Sequence, residues 1–113
     1  MLKLEISDLA KAGARKAYAY YRDEEPGSLA VAEQFEVEFI AACRFVAENP
    51  GVGSSRFAHL LRGIELRTWS LNRYPFRIFY VINNDGETLR VLDVGHERRD
   101  VTRASLARLK RHH

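Results

Sequence analysis

The chain has 113 residues, 46% of them hydrophobic and 29% charged, with a formal net charge of +3. It reads as one small domain over residues 1–113, too short for a second core, too apolar for disorder, and without the ~20-residue apolar run of a membrane-spanning helix. The single cysteine, Cys43, excludes an internal disulfide, and Met1-Leu2-Lys3-Leu4-Glu5 is no signal peptide, so a soluble protein of the reducing cytoplasm is expected.

Leu2, Leu4 and Ile6 alternate with Lys3 and Glu5, the period of a half-buried first strand. Ser7 and Asp8 offer capping oxygens, and Leu9 to Asp23 reads as a helix with the stripe Ala10, Ala14, Ala17, Tyr18 and Tyr21. Pro26-Gly27 breaks it. Ser28 then caps a second helix with the stripe Leu29, Ala32, Phe35, Phe39, Cys43 and Val46, ended by Asn49-Pro50-Gly51. So short a connection predicts an antiparallel helix hairpin.

Beyond the Gly/Ser stretch 51–55 and a short run at Phe57–Leu61 come three strand-like runs: Ile64–Leu71, Phe76–Asn83 and Thr88–Val94. Asn84-Asp85-Gly86 supplies the positive φ of a tight hairpin between the last two. Val101 to Lys110 reads as a short helix with Leu106 and Leu109 on one side, and Asp100 as its cap. The fold class is therefore α+β: an N-terminal strand, an antiparallel helix hairpin, an antiparallel β-meander and a short C-terminal helix.

Charge is unevenly placed. Residues 1–48 hold six Lys/Arg against nine Asp/Glu, whereas residues 56–113 hold twelve against six. A basic C-terminal half suits a polyanion or an acidic protein, although a solvated surface accounts for the same count. Each strand-like run carries an arginine (Arg67, Arg77 and Arg90) where one sheet face could present them together, with His96 at the last strand's end. That pattern makes an anion-binding surface. Trp69, Phe79 and Tyr80 read as sheet aromatics in or near the core, and Cys43 as a buried, inert thiol. His59, His96, His112 and His113 lack metal-ligand spacing, and no nucleotide loop appears, so no metal and no cofactor are expected.

Several local patterns are similar to the RelE/ParE superfamily of bacterial type II toxins. They are Asn49-Pro50-Gly51 with Gly53 and Arg56 after it, Leu60-x-x-Gly63-x-x-x-Arg67, Tyr74-Pro75-Phe76-Arg77-Ile78-Phe79-Tyr80, and Val91-Leu92 before His96-x-x-Arg99-Asp100. Their order covers nearly the whole chain, from Leu2 to about Thr102. The resemblance implies a toxin neutralised by a cognate acidic antitoxin in a toxin–antitoxin hetero-oligomer. Its RelE branch cleaves mRNA in the ribosome, using strand lysines and a C-terminal tyrosine. Here Arg67 stands without lysines on its strand, and no tyrosine follows Tyr80, so the chain resembles the ParE branch, whose members inhibit DNA gyrase by binding.

On that reading Arg98, Arg99 and Arg103 are the expected target-binding residues. Strand 76–82 is apolar on both sides, and the helix hairpin can bury one face only. The second face, with Arg77, Phe79 and Val81, is therefore expected to receive the antitoxin. The alternative is a RelE-like endoribonuclease acting on ribosome and mRNA. His96 would then move a proton, while Arg77 and Arg67 would hold the phosphate.

Overall fold

The computed structural model describes Met1–Glu24 and Pro26–His112, with the side chain of His112 excepted. Seven regular elements follow in order: β1 (Lys3–Ile6), α1 (Asp8–Asp23), α2 (Leu29–Glu48), β2 (Arg67–Ser70), β3 (Phe76–Ile82), β4 (Thr88–His96) and α3 (Arg103–Ala107). Short 3₁₀ turns occupy Ala58–Leu60 and Arg108–His112.

The capping chemistry falls where the serines stand. Ser7 Oγ accepts from the Ala10 amide (3.0 Å) and donates to the Leu92 carbonyl (2.8 Å), so it starts α1 and ties it to β4. Ser28 Oγ accepts from the Val31 amide and starts α2. The last helix is capped not by Asp100 but by Thr102, in a reciprocal pair with Ser105. Leu29, expected on the inner stripe of α2, is exposed.

The sheet order is β1-β4-β3-β2. β2, β3 and β4 form the expected antiparallel meander, but β1 lies parallel to β4, Leu4 beside Leu89, which makes the sheet mixed. Alternation marks a strand without naming its neighbour. The helix hairpin is the crossover that returns the chain to the far side of β4. Ile64–Leu71 contributes only four strand residues. Gly63 turns the chain at φ +74°, and the free edge of β2 is paired once, by Ser54 on Thr68.

A bulge divides the sheet's two faces unequally. Phe79 pairs with Asp93 and Tyr80 with Val91, leaving Leu92 as the extra residue. On the helix side, Ile78, Tyr80, Leu89, Val91 and Val94 pack on Ala10, Ala17, Phe35, Phe39, Cys43 and Val46. On the other side, Phe79, Val81 and Leu92 are buried beneath Leu61, Leu66, Leu106 and Leu109. The expectation of an open second face therefore fails. The chain's own C-terminal segment covers Phe79 and Val81, which are 1% and 2% exposed. No helix among the described residues is long and apolar enough to cross a membrane.

Candidate functional site

A cationic cluster lies at one end of the far face. Arg77 alternates with Phe76 and Ile78 along β3, so its side chain leaves the sheet on the side of Phe79 and Val81. It is 9% exposed, and one terminal nitrogen donates to the Glu97 carbonyl (2.8 Å). Its Nε is buried with no hydrogen-bond partner among the described residues. The guanidinium sits 5.4 Å from the Phe57 ring centre, and Arg56 lies over the same ring at 4.6 Å. Burial and the Arg56 charge push the Arg77 pKa down, against the pull of Glu97, and Arg99 adds to the downward push. Three like charges thus share one small volume.

Arg99 reaches this cluster because Gly95 lacks a side chain. A Cβ on Gly95 would stand 2.5 Å from the Arg99 Cζ. Across the strand Gly95 pairs with Arg77, so both guanidinium groups border the same gap. Arg99 is held by Asp93 (3.0 Å) and rests over Phe79, 5.4 Å from the ring centre. Arg108, from the C-terminal segment, reaches the same Asp93 oxygen at 3.5 Å. The bulge is what turns Asp93 toward both. Arg99 thus reaches back along the chain to a buried carboxylate.

The remaining expected residues go elsewhere. Arg67 pairs across the sheet with Tyr80, which places it on the helix side, opposite Arg77. Its guanidinium donates to the Gly53 carbonyl (2.8 Å) and props the loop after α2. The same loop is pinned by Tyr80, whose hydroxyl donates to the Pro50 carbonyl and accepts from the Gly53 amide, both at 2.9 Å. Burial raises the Tyr80 phenol pKa, against the Gly53 hydrogen bond.

His96 pairs with Phe76, again on the helix side, with ring centres 5.2 Å apart, and its Nδ1 accepts from the Arg98 amide (3.0 Å). An imidazole in that setting is an edge-packed turn residue. Arg90 falls on the side of Val81 and faces Glu5 at 4.0 Å. The arginine row on one face is therefore wrong: Arg77 and Arg90 share a side that Arg67 does not. His96, Arg77 and Arg67 do not converge. Arg98 and Arg103 are exposed.

Arg56 is the residue that sequence reasoning passed over as a site member. Its only signal was its place in the loop motif after Gly53. Arg56 and Arg77 open onto a cleft of about 1020 Å³ along the β2 edge, which at its other end is lined by Phe45 and Trp69. These two rings stack at 5.2 Å. The arrangement offers cations to an anionic group and an apolar shelf beside them. Among the described residues no group of three or more His, Cys, Asp or Glu could hold a metal ion. His113 lies outside the described residues. Cys43 is enclosed, and burial pushes its thiol pKa up to about 12.

Residues 4–101 match the family model of the ParE toxin of the type II toxin–antitoxin system, parDE, and the chain belongs to that family. Its fold is that of several solved toxin structures. The chromosomal ParDE system from P. aeruginosa matches at 19% identity with a TM-score of 0.68, over 85% of this chain and 96% of that one. The isolated E. coli RelE toxin matches at 20% identity and a TM-score of 0.51, over 98% of both chains. The RelBE2 toxin–antitoxin complex from Mycobacterium tuberculosis matches at 18% identity and a TM-score of 0.50, over 84% and 96%. No curated protein sequence matches the chain significantly.

Proposed function

We propose that this type II toxin acts by binding, as a ParE-like inhibitor of DNA gyrase neutralised by a cognate acidic antitoxin. The observation that carries this reading is the split of its candidate catalytic residues. His96 packs against Phe76 on the helix side, while Arg77 lies on the opposite face among Arg56 and Arg99. Metal-free RNA cleavage needs the proton-moving group and the phosphate-holding cations around one bond. With imidazole and guanidinium on different faces, that constellation is not assembled. The exposed Arg98 and Arg103, together with the Arg56–Arg77–Arg99 cluster, suit an acidic protein surface instead.

The antitoxin partner follows from family membership and from the fold shared with ParDE and RelBE assemblies. A second reading, ribosome-dependent mRNA cleavage, draws support from one feature. The buried Nε of Arg77 has no partner among the described residues and would donate to a phosphate oxygen opposite it.

Two assays on the purified chain separate the readings. Inhibition of gyrase supercoiling with intact mRNA in a coupled translation reaction is the expected result. Translation-dependent mRNA cleavage that falls by about 10²–10⁴ with His96→Ala would overturn it.

A further inference from the structure

The cleft along the outer edge of β2 joins two unlike surfaces. Trp69 pairs with Ile78 on the helix side and Ser70 with Arg77 on the far side, so the cleft that Trp69, Ser70 and Arg77 line wraps the strand's outer edge. On the far side the Phe57 ring gathers the guanidinium groups of Arg56 and Arg77, at 4.6 and 5.4 Å. Neither arginine makes an ion pair among the described residues, whereas Arg99 and Arg108 share Asp93. Arg77 is 9% exposed, its Nε has no partner among those residues, and Glu97 meets it through a backbone carbonyl. A guanidinium so enclosed is stabilised when an anion closes over it. On the helix side Phe45 is 41% exposed and stacks on Trp69, which leaves an aromatic shelf open to solvent.

We propose that this cleft is where the toxin grips gyrase, and that it takes a protein segment pairing one carboxylate with a neighbouring large apolar side chain; this rests on the reading of the chain as a gyrase inhibitor. The carboxylate settles between Arg56 and Arg77 and accepts from the unpartnered Arg77 Nε. The apolar side chain covers Phe45 and Trp69, and an aromatic pair buried in this way is the kind of anchor that dominates interface energetics. The charges of the cleft select against a nucleic-acid strand. Glu38 and Glu97 line it together with Arg56 and Arg77, two charges of each sign. Glu38 stands about two turns before Phe45 on the same face of α2, and it accepts from Gln34 Nε2 at 3.1 Å rather than from an arginine. Successive phosphates of a strand would meet these carboxylates, whereas a single carboxylate can settle on the arginines alone. The exposed Arg98 and Arg103 then steer the encounter, while the cleft holds the segment.

The test uses the full chain and purified gyrase holoenzyme in a supercoiling assay, with single-stranded RNA and DNA oligonucleotides as competing probes. Arg56→Glu and Phe45→Ala alter exposed side chains in the two halves of the cleft, and Arg62→Glu makes the same charge change outside it; thermal melting checks the fold of each. Both cleft variants should need about tenfold more toxin for half-inhibition, with Arg62→Glu matching wild type. Inhibition by wild type that neither cleft variant disturbs overturns the proposal and leaves the gyrase reading standing. So does an effect of Arg56→Glu that Phe45→Ala does not share or that Arg62→Glu reproduces, since surface charge alone then acts. A wild-type chain that leaves gyrase uninhibited removes both. Oligonucleotide binding that relieves the inhibition and is lost in both cleft variants makes the cleft a nucleic-acid site and overturns the proposal.

Discussion

The two faces of the central sheet are closed by different means. On the helix side, sixteen- and twenty-residue helices lay an aromatic and aliphatic stripe over the strands, with Phe35 in ring contact with Tyr21, Phe39, Tyr74 and Phe76. The far side is closed by a short loop run and a C-terminal segment of one five-residue helix and a 3₁₀ turn. There the lid is also clasped by charge, with Asp93 drawing in Arg99 and Arg108. Stability rests on long amphipathic helices, and the cationic cluster is gathered where the cover is shortest. A face held by a small apolar patch and one buried carboxylate can position charges that a face of ordinary core packing would exclude.

The largest expected effects test whether the far face is a true core. Phe79→Ala removes a side chain that is 1% exposed and should cost about 3–5 kcal/mol, as Phe35→Ala should on the helix side. Equal losses in urea denaturation would establish two cores of similar weight. A loss below about 1 kcal/mol for Phe79→Ala alone would show the C-terminal cover to be loosely applied.

Next come two glycines that look alike in sequence and differ in what surrounds them. A Cβ at Gly53 meets the Tyr80 hydroxyl at 2.4 Å and the Thr68 carbonyl at 2.8 Å, and backbone cannot yield cheaply. Gly53→Ala should therefore destabilise by about 1–3 kcal/mol. At Gly95 the clash is with the far end of Arg99, a side chain that can swing away. Gly95→Ala should lower the melting temperature less than Gly53→Ala, its cost confined to the Arg99–Asp93 contact, while weakening target binding because the guanidinium leaves the cluster. The comparison breaks if both variants melt alike and bind alike.

Tyr80→Phe carries the same contrast at slightly lower cost. It strips the hydrogen-bond partner from the buried Gly53 amide and from the Pro50 carbonyl, for about 1–3 kcal/mol. His96→Ala, at the sheet's other end, should leave growth arrest intact, since its bond is to the neighbouring Arg98 amide.

The smallest effect expected is a pH dependence in the β3–β4 turn. Asp85 accepts from the Glu87 amide, which chiefly lowers its pKa, and from the Thr88 amide and hydroxyl, with Lys3 adding to the shift. A depressed folded-state pKa gives stability that is present above the unfolded value and lost as pH falls through the folded one. Wild-type chain should thus lose a slight margin over Asp85→Asn on acidification below the ordinary carboxylate range, read as converging melting temperatures. Divergence on acidification would contradict the turn geometry.

Much of the fold was legible because its signals are local. Ser7 and Ser28 stand at the starts of α1 and α2 as capping chemistry requires, Asn49 ends α2, and Gly86 turns the hairpin at φ +70°. Periodicity likewise identified most of the buried helix positions. The candidate site was less legible. Arg67 and Arg77 look equivalent in their runs, and only the register that sets Arg67 beside Tyr80 and Arg77 beside Gly95 sends them to opposite faces. Arg56 had no strand to mark it, and Asp93 became the partner of Arg99 only through a bulge, one extra residue that shifts every later side chain.

The sequence by itself thus determined the element order, the hairpin, both helix caps and membership of the toxin family, because these depend on short-range chemistry and on motif spacing. Tertiary structure alone decided which face each arginine occupies, that β1 lies parallel to β4, and that Leu106 and Leu109 close over Phe79 and Val81. Those outcomes depend on pairing register and on contacts between residues far apart in the chain. No local pattern encodes them, because an alternating strand buries its apolar residues equally well against several neighbours until the whole chain selects one.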